Sequence, residues 1–148
     1  MSPRPSKPCA FCAIIAGEAP ADVVHSDEST VAFLDKTPVF HGHVLLVPRT
    51  HVQTFADLPA DQLPGYTALA QRLERAVESA MDATGSLVLV NNVVSQSVPH
   101  LHLHVIPRRP KDGLRFFLGP RHPYGSSDES AAVARSVAQA LDDDRSAG

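Results

Sequence analysis

The chain has no apolar run long enough to cross a bilayer, which sets aside a membrane-spanning role. Its first eight residues, Met1-Ser2-Pro3-Arg4-Pro5-Ser6-Lys7-Pro8, carry charge with no apolar core behind it, so no secretory signal peptide is expected there. Cysteine is scarce. Cys9 and Cys12 alone cannot build a disulfide scaffold, and the cytoplasm is the expected compartment. Strong charge of one sign is also missing. A net charge of −3 and a pI of about 6.2 leave no basic field to wrap nucleic acid or an anionic membrane, so neither is an expected partner. No internal repeat is visible.

What is present suits one ordinary domain. The 148 residues are 43% apolar and 20% charged, enough to bury a core without a disordered bias. Residues 1–8 read as a flexible, Pro-rich lead-in. Residues 9–16 read as a short helix or turn closed by Gly17. Residues 23–25 and 30–34 look like two short strands joined by the polar turn 26–29, hence a hairpin. Residues 35–42 form a loop, and residues 43–48 an apolar central strand.

The helical part spans residues 58–84. Pro59 suits a short helical turn, and Pro64-Gly65 interrupts it. From there Tyr66, Leu69, Leu73, Val77, Ala80 and Met81 recur at helical spacing, with Gly85 as the stop. Residues 87–91 form another buried strand. Ser127 or Asp128 can cap a last helix through Val133, Val137 and Leu141. Asp142-Asp143-Asp144 should fray its end, because acidic residues oppose the helix dipole there.

The stretch Val98-Pro99-His100-Leu101-His102-Leu103-His104-Val105-Ile106-Pro107-Arg108 concentrates the reactive side chains. Three of the eight histidines fall within five residues and alternate with Leu101, Leu103 and Val105. A period of two is that of a half-buried strand, with the histidines on one face and the apolar residues in the core. One histidine on a strand is usually a satisfied polar side chain. Three in register point to phosphate, proton or metal chemistry, and the pattern by itself leaves metal and catalysis open.

In its context the stretch resembles the histidine-triad (HIT) motif, His-φ-His-φ-His-φ-φ with φ apolar. Residues 9–18, Phe33-Leu34-Asp35, residues 42–51 and Gln96-Ser97-Val98 also resemble the family's segments, in order, over residues 9–109. The resemblance implies a HIT domain over 9–109 and a C-terminal extension over 110–148. It implies an α+β fold: a mostly antiparallel sheet of about five strands, covered on one face by the 65–83 helix. The histidine row would lie on the open face, and the sheet would extend across a homodimer.

The activity it implies is nucleotidyl hydrolysis or transfer at the α-phosphate of a purine nucleotide conjugate. His102 takes the nucleophile's place, and an imidazole suits it because the ring is substantially neutral near pH 7. Its other nitrogen should give its proton to a backbone carbonyl. His43 and His104 would contact phosphate oxygens, and Ser97 the phosphate or leaving group. Asp35 would hold the ribose hydroxyls. Phe11, Phe33 and Leu34 would line the base pocket, Phe33 being equally readable as core. Asn91 and Gln96 would also serve nucleotide binding.

Cys9, Cys12, His51 and His100 form a second set. Family members with this cysteine pair carry a structural Zn²⁺ on matching residues, and Cys₂His₂ is a closed tetrahedral donor set. A redox dithiol is the alternative, although such pairs normally precede a long helix in a βαβ unit. No organic cofactor is expected. The chain departs from the family at Asn91-Asn92-Val93-Val94-Ser95-Gln96, where two valines and a serine replace expected glycines. Asn91 tilts toward nucleoside phosphoramidates, while the missing aromatic tail after Gly113 weakens that tilt. A dinucleoside polyphosphate hydrolase or phosphorylase is the alternative enzyme. A non-enzymatic nucleotide-binding regulator is the alternative class, and an intact His102 argues against it.

Overall fold

Residues 30–34 and 44–48 build the centre of the sheet and are buried on both of its faces except at Leu34. In a computed structural model describing residues 8–115 and 119–144, Thr30–Leu34 (β2) pairs antiparallel with Val44–Pro48 (β3). The register sets Val31 opposite Val47 and Phe33 opposite Leu45 on one face, with Ala32 opposite Leu46 on the other. Val23–Ser26 (β1) joins β2 through a turn in which Asp27 Oδ1 accepts from the Ser29 and Thr30 amides. Gly85–Val90 (β4) and Leu103–Arg108 (β5) complete an order β1-β2-β3-β5-β4, every neighbouring pair antiparallel. This is the α+β sheet expected, five strands among the described residues. Of the expected lead-in over residues 1–8, all but Pro8 lies outside the described residues.

Leu63–Ala80 (α2) covers one face. Its Tyr66, Leu69, Leu73 and Val77 pack with Ala32, Leu46, Leu101, Leu103 and Val105. Tyr66 buries its hydroxyl there and donates it to Leu46 O at 2.9 Å. The helix starts two residues earlier than the periodicity suggests. Pro64 falls in the first turn, where a missing N–H costs nothing, so Pro64-Gly65 begins the helix and does not interrupt it. It also stops earlier, with Met81 as C-cap and Asp82 in the left-handed region at φ 50°, so Gly85 opens β4 and does not end the helix. Ala80 is exposed and Ala70 is buried in its stead.

The opposite face carries Phe11, Val31, Phe33, Leu45 and Val47. Phe11 comes from Ala10–Ile15 (α1), whose N-cap is Cys9 and which Gly17 leaves at φ 75°. Gly42 is a second enforced glycine. It sits at φ 95°, and a Cβ there would press into the Met81 side chain.

The contacts divide the chain into two units at Asp112–Gly113. The second contains Ser127–Asp143 (α3), capped by Ser126, whose hydroxyl accepts from the Glu129 amide at 3.1 Å. The helix persists through Asp142 and Asp143, where fraying was expected, and Gln139 bonds Asp143 at 3.0 Å.

Candidate active site

A cleft of about 750 Å³ opens on the face opposite α2. That volume lies in the range that takes a small organic ligand. Phe11, Phe33, Leu34, Asp35, Ser97, His102 and His104 all line it. Its apolar wall is α1 and the segment after it, because Phe11 and Ile14 fall on one side of the short helix. Asp22, Lys36 and Thr37 also line it and were not picked out from sequence. Isolated polar residues in turns carry no periodic signal.

The histidine row keeps its side but not its ladder. β5 begins only at Leu103, because the Leu101 amide donates to Val52 O at 2.7 Å instead of to a neighbouring strand. Leu101, Leu103 and Val105 still enter the α2 core, and Phe11 still packs edge-on against His100 and His102. The three rings nevertheless have different partners.

His102 Nδ1 donates to His100 O at 2.8 Å. In the neutral ring the lone pair is then on Nε2, the arrangement a nucleophilic imidazole needs. The His104 ring lies 4.8 Å from that of His102, centroid to centroid. His43 stands behind it, with Nε2 2.9 Å from His104 Nδ1. Burial, reinforced by His102 and His43, pushes His104 down to about 4 against the pull of Asp35. Burial lowers His43 as well. Asp35 has one oxygen taken by Thr37, whose amide and hydroxyl reach Oδ1 at 2.9 and 3.3 Å. Its Oδ2 is 3.8 Å from His43 Nε2.

Asn91 and Gln96 stand outside the cleft wall. Asn91 follows the end of β4, and Gln96 donates to Gln53 O at 2.6 Å while accepting from the Val93 amide at 3.3 Å. The loop they belong to takes left-handed turns without glycine, Val93 at φ 66° and Ser95 at φ 63°.

His100 is fully buried and donates Nε2–H to Pro48 O at 2.8 Å, leaving Nδ1 bare. That nitrogen faces Cys9 Sγ at 3.4 Å, Cys12 Sγ at 3.6 Å and His51 Nδ1 at 3.1 Å. Cys12 Sγ is 3.3 Å from His51 Nδ1. A tetrahedron of two sulfurs and two nitrogens around zinc has N···N and N···S edges of about 3.3–3.6 Å, so the four residues fit the ion. Two ring nitrogens so close need a proton or a cation between them. Burial and Cys9 raise the Cys12 thiol, so a cation is also what would draw out the thiolate.

The chain matches the HIT domain over residues 16–111. It belongs to the histidine-triad (HIT) family. An uncharacterized HIT-like protein of Mycobacterium tuberculosis is 40% identical over 109 residues, 72% of this chain and 76% of that protein. The adenosine 5'-monophosphoramidase of Saccharomyces cerevisiae is 35% identical over 107 residues, 72% of this chain and 66% of that one. Among solved structures, a HIT family protein from Bacillus subtilis has a TM-score of 0.83 at 32% identity, over 90% of this chain and 96% of that one. A zinc-bound histidine triad family protein from Mycobacterium smegmatis has a TM-score of 0.68 at 36% identity, over 91% and 96%. The HIT match takes in β1 through β5 and the three histidines, and ends just before the Asp112–Gly113 division.

Proposed function

We propose that this HIT protein hydrolyses purine nucleotide conjugates at the α-phosphate through a nucleotidyl intermediate on His102. The observation that carries the reading is the His102 Nδ1–H bond to His100 O, which in the neutral ring leaves the lone pair on Nε2 of a residue that lines the cleft. Attack by Nε2 forms an N–P bond as the leaving group departs with its bonding pair and takes up a proton. Water then attacks the phosphorus, a P–O bond forming as the N–P pair returns to Nε2 and a proton passes to solvent, which releases the nucleoside monophosphate. His104 and Ser97 steady the phosphate oxygens, with His43 behind His104. Asp35 Oδ2 takes the ribose, its Oδ1 being held by Thr37. The base lies against Phe11, Phe33 and Leu34. The name of the yeast relative favours a phosphoramidate as the substrate.

Cys9, Cys12, His51 and His100 are assigned a structural Zn²⁺, which when bound closes a four-ligand cross-link and leaves no position open for catalysis. We take residues 9–109 as the catalytic domain and 110–148 as an extension. Among the described residues no helix is long and apolar enough to cross a membrane, and two cysteines outside any disulfide suit a reducing cytoplasm. β4 is an edge strand, and we assign it the sheet-to-sheet seam of a homodimer. Sedimentation should then give twice the 15.8 kDa of one chain; a monomer at micromolar concentration excludes the seam.

Adenosine and guanosine phosphoramidates assayed beside diadenosine polyphosphates test the activity. His102→Ala should lose turnover by at least about a thousandfold while AMP binding persists. Turnover by that variant at the wild-type rate would end the assignment of His102. Faster cleavage of the polyphosphates would move the substrate to the dinucleotide class. AMP binding with no turnover of any substrate would make the protein a regulator.

A further inference from the structure

The hydrogens behind His104 are placed by the backbone. The Val39 amide donates to His43 Nδ1 at 3.1 Å. A ring nitrogen that accepts a hydrogen bond carries no hydrogen, so the neutral His43 ring holds its proton on Nε2. Asp35 Oδ2, 3.8 Å from that same Nε2, favours a proton there independently. Nε2 faces His104 Nδ1 at 2.9 Å, and the order consistent with both constraints is His43 Nε2–H donating to His104 Nδ1. His104 then carries its own hydrogen on Nε2. That nitrogen is buried and meets no hydrogen-bond partner among the described residues, although the ring lines the cleft beside His102. An orphaned buried donor costs stability unless something outside the chain accepts from it.

We propose that the Val39 amide, acting through His43, locks His104 as an Nε2–H donor aimed at the α-phosphate, which makes Val39 and His43 positioning residues for transfer at His102. The proposal rests on the hydrolase reading above. It has a specific chemical meaning: His104 donates in its neutral form, and no protonation step has to precede binding. It also decides against a metal at Asp35, His43 and His104, whose ligand atoms lie within 4.8 Å of one another. A cation there would need His43 Nε2 bare, which would force the proton onto Nδ1 against the Val39 N–H.

Imidazole ¹⁵N NMR of the full-length, zinc-loaded protein reads the tautomers directly. Both His43 and His104 should show the Nε2–H form at pH 7.5. Val39→Pro deletes the amide hydrogen and no side chain that lines the cleft. It should lower kcat on a nucleoside phosphoramidate about tenfold, with KM and AMP affinity changing less than about twofold. His43→Gln can still donate to His104 Nδ1 through its amide nitrogen, so it should retain about ten times the kcat of His43→Ala. An Nδ1–H form at either ring overturns the proposal, as does equal kcat in the two His43 variants. If Val39→Pro does not fold, the His43 pair and the wild-type spectrum decide. A protein that turns over no nucleotide substrate removes the hydrolase reading, and the tautomer spectrum then decides the lock by itself.

Discussion

His104 is held between opposing influences. Burial, His102 and His43 disfavour its charged form, Asp35 favours it, and burial wins, taking the ring from its ordinary 6.5 to about 4. The sign for stability follows. Between those two values the unfolded chain binds the proton and the folded chain does not, so stability rises with pH across that window. The contribution is complete above about 6.5 and falls away on acidification toward 4, and His43 acts in the same direction. Urea midpoints measured from pH 7.5 to 4.5 should therefore decline more steeply in the wild type than in His104→Gln; parallel slopes would show that His104 is not buried neutral. At this scale the sequence singled out residues that the fold brings together: Cys9, Cys12, His51 and His100 form one cluster, and His43 and His104 lie in another beside His102. It could not say which ring nitrogen carries a hydrogen. That depends on Val39, Pro48 and the His100 carbonyl, backbone groups with no side-chain signature.

The loop over residues 92–96 shows what an element does when its residues resist its geometry. Val93 is β-branched and sits at φ 66°, followed by Ser95 at 63°. A left-handed residue without glycine stores about 1–3 kcal/mol, and more for a β-branched side chain than for most. Tethers at both ends hold it: Asn92 Oδ1 accepts from the Phe55 amide at 2.9 Å, and Gln96 donates to Gln53 O at 2.6 Å. The loop delivers Ser97 to the cleft, so the strain lies beside the candidate site. Val93→Gly should raise unfolding free energy by about 1 kcal/mol in denaturant titrations, relief of strain outweighing the added chain entropy. A loss of stability would show that Val93 is not strained in the folded protein. Asn91 and Gln96 were expected at the nucleotide. Gln96 instead spends both ends of its amide on this tether. Sequence likeness aligned the residues, and loop geometry ties the Gln96 side chain to the Gln53 carbonyl and the Val93 amide.

Across the whole first unit, the Cys₂His₂ cluster joins segments far apart in sequence. Cys9 and His100 are 91 residues apart, and Phe11, between the two cysteines, touches His100 and His102. Zinc bound there would staple α1, a wall of the cleft, to the start of the histidine strand. Chelation at pH 7.5 should lower Tm by about 5–15 °C and weaken AMP binding. Cys12→Ser should start near the chelated Tm and respond little to the chelator. Metal analysis that finds no stoichiometric zinc in protein kept reduced would refute the staple.

The sequence by itself determined what contiguous residues encode. Apolar runs marked β2 and β3, alternation placed the two faces of β5, the 3–4 spacing made α2, and the ordered motifs singled out the candidate histidines and the metal-type donors. Tertiary structure decided what separated residues settle between them. It ended the ladder at Leu103 by giving the Leu101 amide to Val52, sent His100 to the cysteines and left His102 and His104 to the cleft. The physical reason is the range of the forces involved. Hydrophobic periodicity is written locally along the chain. A hydrogen bond from Val39 to His43, or a donor set joining Cys9 to His100, exists only once the chain has closed on itself.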